Sequence, residues 1–146
     1  MRVAGSLALC ICTLGLTSVV AEEKDKLDPA KLVGTWTYVS GERSGDKVPD
    51  DRLKVGTVVI NKETFTLKGA DTFVMGYKLD TSKNPCAVTL TIKEGPQGVG
   101  AVSEGIIAVK GDELTLCYAM PMQAAPKEFS AKKDSGNHLF VLKRMK

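Results

Sequence analysis

The chain has 146 residues, 43% hydrophobic, 5% aromatic and 25% charged, the profile of one soluble domain rather than a polytopic membrane protein or a disordered tail. Twenty Lys and Arg against seventeen Asp and Glu leave a net charge of +3, too weak and too interspersed for the dense basic footprint of a nucleic-acid binder. A single His and four Cys offer little material for a metal or nucleophile centre.

Arg2 is followed by an uncharged stretch from Val3 to Ala21, densest in apolar residues between Leu7 and Leu16 and ending at Val19, Val20 and Ala21. This layout predicts a secretory signal peptide over 1–21, cleaved after Ala21, and hence a periplasmic or extracellular protein with no membrane span after cleavage. An uncleaved anchor is the competing reading, although Gly5, Ser6, Gly15, Thr17 and Ser18 make a poor span. The charged run at 22–27 is expected to be a flexible lead-in, and 28–146 one domain.

Asp28 followed by Pro29 predicts a short helical turn that Gly34 ends. Period-two alternation then takes over. Thr35 to Ser40 sets Trp36 and Tyr38 on one face and Thr37 and Val39 on the other. Further strands are predicted over Lys54–Ile60, Thr64–Lys68, Phe73–Leu79, Ala87–Lys93, Glu104–Val109, Leu114–Ala119 and Leu139–Arg144, with a short extra one over Glu128–Ala131. Gly41–Leu53, Gly95–Gly100 and Met120–Asn137 read as loops. With no long amphipathic helix to cover a sheet, the strands must bury their apolar faces on one another. The reading is therefore an all-β, antiparallel up-and-down β-barrel of about eight strands with a short N-terminal helical turn, an open sandwich being the alternative.

The Gly34-Thr35-Trp36 tripeptide on the first strand, after a short helical turn, resembles the Gly-x-Trp signature of lipocalins. Tyr77-Lys78-Leu79-Asp80, Pro85, Gly105-Ile106, Gly111 to Ala119, Pro126-Lys127-Glu128-Phe129 and Leu142-Lys143-Arg144 follow in order. In that order they resemble the uncharacterised, lipocalin-like Gemmata-type domain family of Planctomycete bacteria, from Leu32 to Arg144. The chain departs from that family's pattern at Thr89, where the family has an acidic residue nearby, at Ala125, where it has Arg, and at Ile107, where it has Tyr. The resemblance implies a fold and an exported protein but no established activity. It also implies that Trp36 plugs the closed end of the barrel with Arg144 across its face, a cation–π contact.

A barrel of this size either is filled by side chains or holds one small molecule. Inward faces assigned by alternation make Tyr38, Val88, Leu90, Ile92, Leu116 and Tyr118 the candidate ligand-binding residues, with plain core as their other role. The lid over the mouth would be Gly41–Leu53. No cofactor, metal site or catalytic constellation is signalled: the glycines of Gly95–Gly100 lack the residues of a phosphate loop, and the turn acids lack calcium-loop spacing. His138 is expected at the surface. Cys86 and Cys117 could bridge in an oxidising compartment, although strand order is expected to hold them apart. The expected function is an exported, non-enzymatic lipocalin-like protein taking a small apolar or amphipathic molecule in its mouth, or else a filled structural or interaction module of the cell envelope.

Overall fold

In the computed structural model residues 26–146 are described, so the expected leader and its cleavage point lie outside the described residues. The Asp28 carboxylate accepts the Ala30 N–H at 3.0 Å and caps a 3-10 turn over Pro29–Lys31, as its residue type dictates. Leu27, assigned by sequence to the lead-in, packs against the core.

Nine strands follow: β1 (Gly34–Arg43), β2 (Asp46–Lys47), β3 (Thr57–Ile60), β4 (Thr64–Lys68), β5 (Thr72–Asp80), β6 (Cys86–Glu94), β7 (Val102–Lys110), β8 (Glu113–Ala119) and β9 (Asn137–Arg144). All neighbours are antiparallel, and β1 pairs with both β3 and β9, so eight strands close into an up-and-down barrel with β2 as an appendage of β1. Closure leaves every long strand paired on both sides. Alternation lines the lumen with Trp36, Val58, Phe65, Met75, Val88, Leu90, Ile107, Leu114, Leu116, Phe140 and Leu142, all buried.

One irregularity sets which side chains reach the mouth. In the β1–β9 ladder Tyr38 pairs with Leu142 but Ser40 with Val141, so Val39 is an extra residue bulged out to solvent. The bulge switches the inward parity of β1 from even to odd, and Gly41 and Arg43 face the lumen side beside Phe140 and His138.

The Gly41–Leu53 segment is not a loop. β1 runs on to Arg43, turns through Ser44 and Gly45, both at positive φ (47° and 90°) as a two-residue type I′ hairpin needs, and returns as β2. Pro49 then leads into a helix, α1 (Asp50–Lys54), with Asp50 and Asp51 in its first turn, Arg52 and Lys54 in its last, and Leu53 buried. The helix takes Lys54, so β3 begins three residues later than the sequence pattern suggests. Glu128–Ala131 forms no strand, since a closed barrel offers it no edge to join. Its loop instead folds onto the outer wall, where Ser130 O accepts from Cys117 Sγ (3.5 Å) and Asn137 Nδ2 (3.4 Å) and Ala131 is buried.

Candidate functional site

The two ends of the barrel are built differently. At the closed end Trp36 is fully buried and its indole N–H donates to Leu32 O at 2.9 Å. The Arg144 guanidinium carbon lies 4.4 Å from the indole centroid. Arg144 Nη1 donates to Val33 O at 2.9 Å, Nη2 donates to Lys31 O, and Nε faces Asp112 at 3.8 Å. One side chain thus ties the last strand, the entry turn and the β7–β8 turn to the indole.

The opposite end is a concavity of about 410 Å³, within the range of small-molecule sites. Its floor is aromatic: Tyr38 and Phe140 meet edge-on at 5.4 Å, Tyr118 stacks on Phe140 at 6.2 Å, and Phe73 joins the wall. Gly56 is what leaves space for the Tyr38 ring, because a Cβ there would sit 2.8 Å from it. His138 Nδ1 lies 3.2 Å from the Tyr118 hydroxyl, and their rings are 5.0 Å apart. Arg43 reaches over the floor with its guanidinium carbon 5.8 Å from the Phe140 centroid.

Burial pushes the Tyr38 phenol far above its ordinary range, with Tyr118 adding to the rise and Arg43 opposing it. Burial raises Tyr118 as well. Desolvation first, and Arg43 second, push the His138 imidazole below its usual value. At neutral pH the floor is therefore uncharged, and the charge placed over it is the Arg43 guanidinium. Among the described residues the ion pairs are Lys47–Asp50, Lys132–Glu128 and Arg144–Asp112, and none engages Arg43.

Below this floor the lumen is filled. The void between Tyr38, Phe65, Met75, Leu116 and Phe140 is about 20 Å³, space for about one water. Of the candidate residues, Tyr38 and Tyr118 line the mouth and Leu116 only this void. Val88 and Leu90 line neither: both are 1% exposed and packed as mid-barrel core, the other role that the sequence left open for them. Ile92 is half-buried on the far wall beside the Gly98 turn, likewise outside the mouth. Arg43, Phe73 and Phe140 are among the mouth residues that sequence reasoning missed. Phe140 was recoverable by counting back in twos from Arg144, whereas Arg43 depends on the bulge.

His138 is not a surface residue but a half-buried member of the aromatic cluster. Cys86 and Cys117 are free, buried thiols. Their separation comes from facing rather than from height. Cys86 pairs with Ile107 and Ile107 with Leu116, so Cys86 is level with the neighbour of Cys117, but Cys86 points into the lumen and Cys117 out under the long loop. Two strand spacings of roughly 4.8 Å also exceed the reach of a disulfide.

The described residues also form hollows elsewhere. One of about 620 Å³ runs along the 123–137 loop and is lined by Ala, Pro, Lys, Glu128 and uncharged polar side chains without any aromatic residue; one of about 250 Å³ lies beside the β5–β6 turn. Among the described residues no His, Cys, Asp and Glu group is placed to hold a metal, and no helix is long and apolar enough to cross a membrane. Comparison with protein-family models, curated proteins and solved structures returns no match.

Proposed function

We propose that this is an exported, non-enzymatic, lipocalin-like protein whose barrel mouth reversibly takes a small amphipathic molecule. The observation that carries the reading is the half-enclosed aromatic floor of Tyr38, Tyr118 and Phe140 beneath a polar rim. Apolar surface buried on such a floor supplies the driving force, and the rim groups orient the ligand. The filled lumen confines the ligand to the mouth, which distinguishes this protein from a barrel that swallows its cargo. The same filled lumen favours the second reading, a structural or interaction module of the cell envelope that works through its loops and outer face. Export rests on the leader-like sequence of 1–21 and on the resemblance to the Gemmata-type family.

Native mass spectrometry of protein purified from its own cells tests both parts. A mass starting at Glu22 with a small non-covalent adduct is expected. A chain that retains residues 1–21 overturns cleavage, and a bare polypeptide favours the envelope module.

A further inference from the structure

We infer that the mouth selects a carboxylate amphiphile, its head held by Arg43 and its apolar body laid on Tyr38, Tyr118 and Phe140; this rests on the mouth-binding reading above. The charge around the concavity is unbalanced. Arg43, Lys47, Arg52 and Lys68 line it against Asp46 and Asp71, and Lys47 already faces Asp50 at 3.9 Å. Only Arg43 among the cations is placed over the aromatic floor, and it carries no carboxylate partner among the described residues. A guanidinium presents a planar fork of donors that matches a carboxylate bidentately.

The groups beside Arg43 support the same polarity. Tyr38 and Tyr118 offer phenols that burial keeps protonated, so the floor itself supplies no anion to compete for the guanidinium, and Asp46, the exposed cross-strand neighbour of Arg43, forms no ion pair with it. The floor resembles the aromatic surface that would receive a quaternary ammonium, but Arg43 stands where such a cation would lie and repels it. A single guanidinium over the floor balances a monoanion. A dianionic phosphate would require a second cation there, and Arg52 and Lys68 are exposed on the rim.

The test is isothermal titration of the protein with three probes of equal chain length: octanoate, 1-octanol and octyltrimethylammonium. Octanoate is expected to bind about tenfold to a hundredfold more tightly than octanol, the range for one hydrogen-bonded charge, with octyltrimethylammonium weakest. Arg43→Gln is expected to bring octanoate to the level of octanol, and Arg43→Lys to restore part of the gap. Arg43 is an exposed strand-end residue, so both variants should keep the wild-type unfolding midpoint within a degree or so. Equal binding of octanoate and octanol, preference for the cation, or a preference that survives Arg43→Gln overturns the carboxylate assignment and leaves mouth binding standing. If none of the three binds the wild-type protein, the mouth reading fails and takes this inference with it.

Discussion

Replacing Arg144 by Gln should cost this barrel about 2–4 kcal/mol, more than a half-exposed terminal residue would ordinarily be worth. The substitution removes the guanidinium 4.4 Å from the Trp36 ring, a contact of about 1 kcal/mol in a partly desolvated setting. It also removes the donors to Val33 O and Lys31 O, roughly 1 kcal/mol each once water is allowed to rehydrate the carbonyls. The Asp112 pair, at 3.8 Å and with the aspartate half exposed, adds on the order of 0.5 kcal/mol or less. Trp36 is the only tryptophan in the chain, so urea unfolding followed by its fluorescence reads the site itself. The midpoint should fall with the slope unchanged, since the surface exposed on unfolding is the same. Arg144→Lys should recover less than half of the loss, because an ammonium cannot reach the indole face and both carbonyls together. A loss under about 0.5 kcal/mol for Arg144→Gln would refute the argument that this side chain fastens the closed end.

Gly105 faces the lumen opposite Tyr118, and a Cβ there would lie 2.8 Å from Tyr118 Cα and Cβ; Gly105→Ala should therefore force β7 and β8 apart at a cost of about 1–3 kcal/mol in urea unfolding. His138 has a folded pKa below its unfolded value near 6.5, so its contribution is fully present above about pH 6.5 and is lost as pH falls toward the folded pKa, where it levels off. The stability difference between wild type and His138→Gln, measured by unfolding at stepped pH, should narrow over that window and stay flat above it; a flat difference throughout contradicts the burial of the imidazole. Cys86 and Cys117, buried with thiols pushed up by desolvation, should ignore a thiol reagent at pH 8 in the native protein and both react in urea without reductant. Failure to react in urea would reveal a bridge.

The barrel was legible in the sequence because alternation of apolar and polar residues is a direct print of strand facing. Val88, Leu90 and Ile92 on β6 share the predicted side, and the Asp28-Pro29 start falls where capping chemistry puts it, whereas the turn is capped at Leu32 and Gly34 opens β1. Closure followed from the shortage of anything else to cover the strands. What stayed hidden was governed by spacing shorter than any periodicity or by contacts remote in sequence. Five residues of α1 complete barely more than one helical turn, too few to show a 3.6-residue repeat, and Leu53 read as the approach to a strand. Glu128–Ala131 has strand-like composition, but its fate was decided by the absence of an edge rather than by its residues. The mouth was half visible: Tyr38 and Tyr118 follow from alternation, whereas Val88 and Leu90 obey the same rule and end as core, because height along the barrel is set by register rather than by facing.

The bulged Val39 has an effect out of proportion to its own side chain, which only meets water. Were Val39 drawn into the ladder as a paired residue, the outer half of the strand would turn over, presenting Glu42 to the opening and sending Arg43 to the exterior, whereas deleting Val39 would leave the pairs from Ser40–Val141 to Arg43–His138 and their facing in place. Which of two neighbouring side chains, one basic and one acidic, is offered at the entrance is thus decided by whether a single residue stands outside the hydrogen-bonded ladder or within it.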